Sequence, residues 1–102
     1  MGAQQFEFLD SEFLTAMNDI GRYGFEKYGP VSFQSRRLNG DRSRGSLKRA
    51  TSQVIADHAQ EHFSQYLSHI AHDKFGDDIH QLAAVAFNAM MEAYFAGLTD
   101  GN

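Results

Sequence analysis

The chain contains no cysteine, no tryptophan and a single proline, Pro30. Without cysteine there are no disulfides and no thiolate metal sites, and the composition suits a reducing compartment. One proline in 102 residues is unusually few for a loop-rich or all-β protein. Long apolar runs are also missing: the longest, Leu82 to Phe87, stops at Asn88, far short of a membrane span. The Met1-Gly2-Ala3 start has neither a basic nor an apolar leader region. These absences lead us to expect a soluble, cytoplasmic protein without a signal peptide.

Nine phenylalanines and four tyrosines provide bulky core material, and the length suits one domain with one modest core. The net charge is −4, yet six of the nine basic residues fall between Arg36 and Arg49: Arg36, Arg37, Arg42, Arg44, Lys48 and Arg49. A local basic cluster in an acidic chain suits a phosphate at one place or simply solvates a loop. Extended nucleic-acid binding is not expected from an acidic chain without a recognised motif.

Residues 1–9 read as a short lead, 10–98 as a single helical domain and 99–102 as a tail. Asp10 or Ser11 is placed to cap a first helix with Phe13, Met17, Ile20 and Gly24 on one face, ending by Gly29-Pro30. From Val31 to Gly45 no helical period is visible, and Asn39-Gly40, Asp41 and Gly45 signal turns. Ser46 is expected to cap a second helix reaching about His72, with Ile55, Ala56, Ala59, Phe63, Tyr66, Leu67 and Ile70 on a broad apolar side. Thr51, His58, His62, Gln65 and His69 form the adjoining polar stripe. Asp77 or Asp78 is expected to cap a third helix running to about Gly97. That helix is apolar nearly all round, so it should be buried on more than one side. The expected fold is all-α, with three main helices, a basic irregular loop between the first and second, and completion by homo-oligomerisation.

All five histidines, His58, His62, His69, His72 and His80, lie in one stretch interleaved with Asp57, Glu61, Asp73, Asp77 and Asp78. Imidazole and carboxylate are the groups that bind divalent metals and carry protons near neutral pH. His58, Glu61 and His62 match the H-x-x-E-H pattern of inverted zinc peptidases, with Glu92 or His80 in reach as a third ligand. A polar stripe between helices accounts for the same residues. The carboxylates Asp57, Glu61, Asp73, Asp77, Asp78 and Glu92 suit magnesium or manganese instead, although Asp77 and Asp78 are also ordinary helix-capping residues. Asn88, inside the run AAVAFNAMM, needs a partner if buried and is either a tie between helices or a site residue.

The most distinctive word is Tyr23-Gly24-Phe25-Glu26-Lys27-Tyr28-Gly29-Pro30-Val31-Ser32-Phe33. It resembles the Y-G-x-K-K-Y-G-x-x-N/S-W/F signature of the phage-type dATP/dGTP diphosphohydrolase-like domain, a relative of the MazG-like all-α pyrophosphohydrolases. His62 with Tyr66, Asp73 with Gly76, His80, and Phe87-Asn88 follow in the family's order, so the resemblance spans roughly residues 14–96. Three departures stand out. Ser68-His69 replaces a Gly-Glu pair, Glu61 replaces an arginine, and the E-E-x-x-E motif of MazG proteins proper is absent.

The resemblance implies handling of a purine deoxynucleoside triphosphate, with hydrolysis to monophosphate and pyrophosphate where active. A magnesium or manganese ion on Glu61, Asp73 and Asp77 would serve the phosphates. Lys27, Arg36 and Arg37 would steady the phosphate chain, and Tyr23 or Tyr28 would stack on the base. Asn88 is a further nucleotide-binding candidate, while Glu61, His62 and His80 are the catalytic candidates. The contrasting expectation is a non-catalytic helical interaction protein that keeps the fold.

Overall fold

A computed structural model describes residues 6–44 and 51–101. All regular structure among them is helical: α1 (Ser11–Tyr28), a 3-10 turn (Gly29–Val31), α2 (Phe33–Leu38), α3 (Ser52–Leu67) and α4 (Asp78–Phe95). The all-α expectation holds, with one more helix than the sequence suggested.

α1 starts where its cap chemistry places it. The Asp10 carboxylate accepts from the Phe13 amide at 3.0 Å, satisfying one of the orphan donors of the first turn. It ends at Gly29, whose φ of 55° takes the chain out of helical geometry. The expected face is in use: Ile20 is core, and Phe13 and Met17 pack against it. α4 comes close to α1 at Gly21, where a Cβ would lie 2.9 Å from a Phe87 ring carbon.

The loop expected from Val31 onward contains α2 instead. Ser32 caps it by accepting from the Ser35 amide at 3.2 Å. α2 escapes a periodicity argument because it has six residues and buries one side chain, Phe33. That ring meets Phe87, Tyr94 and Phe95 edge-on at centroid distances of 5.7, 5.6 and 5.9 Å, joining α2 to α4.

The arginines that follow are structural. Arg37 donates to the Gly101 carbonyl at 3.0 Å, and Arg42 donates to the carbonyls of Tyr94 and Thr99 with its guanidinium 4.4 Å from the Tyr94 ring centre. Arg44 holds the Glu92 carboxylate through two bonds of 2.9 and 3.2 Å. Together they fasten the segment after α2 to the end of α4 and the residues beyond it. Gly45, Ser46, Lys48 and Arg49 lie outside the described residues.

α3 is capped by Thr51, which accepts from the Val54 amide at 3.2 Å. It ends at Leu67, not His72, because His69 takes a φ of 61° and the Ile70 amide turns back to the Gln65 carbonyl. No glycine or proline marks this stop. The helix is also rotated from the expected orientation: Ile55 is buried, but Phe63 and Leu67 are 43% and 62% exposed, and Ile70 falls beyond its end. The polar side carrying His62 and Gln65 turns inward instead.

α4 is capped by Asp77, as expected, accepting from the His80 amide at 3.0 Å. It is the spine of the fold, since both α1 and α3 pack on it. Its buried side chains include Ala83, Ala84, Phe87 and Tyr94. One copy of the chain covers most of α4, so that helix does not itself call for a second copy. Apolar side chains are left exposed on α3, at Phe63 and Leu67.

Candidate functional site

α1 and α3 diverge from α4, and between them lies an open cavity of about 410 Å³. This is within the size range of small-molecule sites. α1 supplies Tyr23, Lys27 and Tyr28; α3 supplies His58, Glu61, His62 and Gln65. His72 and Asp73 come from the α3–α4 loop, and α4 supplies Asn88 and Met91. Seven of the residues that the resemblance assigns to the site thus line one cavity: Tyr23, Lys27, Tyr28, Glu61, His62, Asp73 and Asn88.

The tyrosines and lysines form a cationic aromatic lip. The Lys27 ammonium sits 5.7 Å from the Tyr23 ring centre and 5.5 Å from that of Tyr28. Lys74, not anticipated from the sequence, lies 5.7 Å from the Tyr23 ring. Such a lip offers positive charge to a phosphate and flat faces to a base. Asn88 is buried and donates to the Ala84 carbonyl of its own helix at 2.8 Å. This bond lies within one helix, and the side chain lines the cavity.

Four residues of the expected site are elsewhere. Arg36 is taken up by the Ser43 carbonyl at 2.6 Å and by Asp41 at 3.6 Å, and Arg37 by the Gly101 carbonyl. Neither lines the cavity, because the segment after α2 needs both to hold its own turn and the chain's far end. Asp77 and His80 are spent on each other. Asp77 meets His80 Nδ1 at 2.7 Å, and Asp19 of α1 meets its Nε2 at 3.0 Å. Glu92 is likewise taken by Arg44 and Ser52, whose bonds hold its pKa below the ordinary carboxylate value.

Burial works against charge on His80, but hydrogen bonds to Asp19 and Asp77 outweigh it and raise its pKa above 6.5. Burial also works against the Asp77 carboxylate, and its bonds to His80 overcome that and lower its pKa below 3.8. The ring lies stacked on Phe75 at 4.0 Å, so the imidazolium clamps α1 to the start of α4. His72 behaves oppositely. Burial lowers its pKa below 6.5, opposed by Asp73 and assisted by His62 and His80.

The clamp predicts a stability profile. His80's contribution is complete below 6.5 and fades as pH rises through its raised value; Asp77's is complete above 3.8 and fades as pH falls through its lowered one. Neutral His72 penalises the fold as pH drops below 6.5, which flattens the wild-type curve. Replacing Asp19 with alanine isolates the clamp and should lower stability by about 1 kcal/mol. The loss should be present below 6.5 and shrink as pH rises through the raised His80 value. Thermal melts of both chains across pH check it; a constant difference would contradict the clamp.

Two residues around this site were not picked out from sequence: Gln81 and Gln34. Gln81 is fully buried in an apolar stretch of α4, and the buried-amide argument applied to Asn88 finds it equally. Among the described residues no three histidines or carboxylates are grouped to hold a metal ion. Family profiles, curated proteins and solved structures were compared with the chain, and none matches.

Proposed function

We propose that the protein binds a purine deoxynucleoside triphosphate in the cavity between α1 and α3, as a MazG-like nucleotide-handling protein, and releases pyrophosphate from it. The observation that supports this reading is the meeting of Tyr23, Lys27, Tyr28, Glu61, His62, Asp73 and Asn88 around one cavity. These residues span 66 positions from first to last (88 − 23 + 1), and spacing alone could not require them to meet. Tyr23 or Tyr28 stacks on the base, Lys27 meets the phosphates, and Asn88 offers its amide to the ligand. Glu61, His62 and Asp73 face the phosphate end.

A magnesium or manganese ion fits this donor set as a substrate-borne metal, not as a resident one. Two carboxylates, Glu61 and Asp73, line the cavity, and magnesium commonly takes one or two carboxylates together with substrate phosphates. When bound, it would neutralise phosphate charge and favour attack by water. Asp77, tied to His80, is no longer offered as a ligand. The chain's own residues position the phosphates and order the polar wall.

The test is pyrophosphate release from a panel of nucleoside triphosphates with magnesium, manganese, zinc or chelator. Turnover that requires magnesium or manganese and prefers a purine deoxynucleotide is expected. Zinc retained through purification with zinc-only activity would favour His58 and His62 as a zinc pair. No release from a folded sample would leave the non-catalytic interaction protein. One observation favours that second reading: Phe63 and Leu67, exposed on α3, suit association with another copy. Sedimentation shows directly whether the chain assembles.

A further inference from the structure

Three histidines follow one another: His62 and His72 line the cavity and stack with ring centres 5.6 Å apart and planes 1° from parallel, and His72 lies 6.5 Å from His80, which is outside it. Their hydrogen-bond partners put them in three different protonation forms. His80 has a carboxylate at each nitrogen, so it carries both protons.

The form of His62 follows from Gln81. The Gln81 amide nitrogen lies 2.9 Å from the Ile70 carbonyl and 2.9 Å from the Gln65 side-chain oxygen. A backbone carbonyl can only accept, so the amide cannot be turned the other way without setting oxygen against oxygen. Its own oxygen must then face His62 Nδ1, at 2.8 Å, and that nitrogen must donate. Neutral His62 is left with an unprotonated Nε2.

The form of His72 follows from the backbone. The Lys74 amide donates to His72 Nδ1 at 3.0 Å, so that nitrogen carries a lone pair and the proton sits on Nε2. Asp73 approaches the same Nδ1 at 3.3 Å, but its side chain is 88% exposed and screened by water, so the amide decides. Both rings line the cavity with Nδ1 committed to the protein, which leaves Nε2 as the nitrogen each can offer.

We propose that Gln81 is a positioning residue that holds His62 in its Nδ1–H tautomer, so that His62 and His72 present one acceptor and one donor side by side as a subsite for a hydroxyl group. A hydroxyl oxygen accepts from His72 Nε2–H while its proton is donated to His62 Nε2. The hydroxyl is that of water or of the deoxyribose, an assignment that rests on the nucleotide reading above. Gln81 does not reach the ligand; it acts through His62. Two stacked histidines of the same tautomer would offer two donors or two acceptors, and a single hydroxyl cannot satisfy a pair of acceptors.

The test is nitrogen NMR of the full chain with 15N-labelled histidine, under alkaline conditions. His62 should appear as the Nδ1–H tautomer and His72 as the Nε2–H tautomer. Gln81→Leu should move His62 toward the Nε2–H form that free imidazole favours. Wild-type His62 found as Nε2–H, or a folded Gln81→Leu chain with His62 unchanged, would overturn the proposal. If Gln81→Leu fails to fold, the wild-type spectrum still decides.

A ligand arm separates the two hydroxyls, using dGTP and its 2′,3′-dideoxy counterpart with magnesium. About tenfold weaker binding of the dideoxy compound, abolished in His72→Phe, assigns the sugar hydroxyl. Equal binding with lower turnover in His72→Phe assigns water, and equal binding with unchanged turnover overturns the subsite. The tautomer readout needs no ligand. A chain that shows both tautomers, responds to Gln81→Leu and binds no nucleotide would therefore sink the nucleotide reading while leaving Gln81's positioning role intact.

Discussion

Replacing Phe33 with alanine is expected to remove about 3–5 kcal/mol of folding stability. Folding free energies for single domains run at about 5–15 kcal/mol, so this change alone brings the chain near the limit of cooperative folding. The reason is position. Phe33 is the single buried side chain of α2, and three aromatic rings from α4 close around it edge-on. Truncation opens a hole between α2 and α4, and neither backbone can close it while Arg37 and Arg42 hold the chain at Gly101, Tyr94 and Thr99. Phe25→Ala is the control, since that ring is largely exposed and should cost far less. Urea unfolding of both variants measures the difference. A loss below about 1 kcal/mol for Phe33→Ala would show that the aromatic cluster is not what seats α2.

The second large effect concerns chemistry and not folding. Glu61→Gln with Asp73→Asn should reduce magnesium-dependent pyrophosphate release by roughly a hundredfold or more. Both side chains are exposed on the cavity wall, and neither holds an element of the fold together. Their replacement by amides of equal shape should leave the melting transition within about 0.5 kcal/mol of the parent. Loss of turnover with an unchanged melt places the two carboxylates at the phosphate end of the cavity. Unchanged turnover removes them from any catalytic role and leaves His62 and Lys27 as the polar groups to examine next.

The parts of the fold legible in the sequence are those written in local chemistry. Asp10 and Asp77 cap α1 and α4 through side-chain oxygens, and Gly29-Pro30 ends α1, so both helices could be bounded from a few residues. α2 was illegible because Gln34-Ser35-Arg36-Arg37 carries no apolar period; the helix depends on the Ser32 cap and on Phe33 finding its cluster. The stop at Leu67 was hidden for another reason. His69 adopts left-handed geometry without being glycine, a choice made by the turn around it.

Rotation of α3 was the larger miss. An apolar side of Phe63, Leu67 and Ile70 reads as core, yet buried Gln81 satisfies His62 and Gln65 so completely that the polar side turns inward. At the cavity, the Tyr-Gly word and the histidine stretch were both visible. The arginines were misleading because charge clustering says nothing about which carbonyls are waiting for them. Asp77 and His80 were misleading because each is the other's partner.

That α1 and α3 both rest on α4 has a mechanical consequence. The two helices are jaws on a common spine, and the links from α1 to the α3–α4 loop include the edge contacts of Tyr23 with His72 and Phe75, with ring centres 6.1 and 6.2 Å apart. α1 is the fixed jaw, held by Ile20 in the core and by Asp19 on His80, whereas α3 gives no side chain to the cluster around Phe33, so any widening of the opening falls to α3. Tyr23 is then the latch: it belongs to the lip that would grip a ligand and to the contacts that set how far the jaws stand apart.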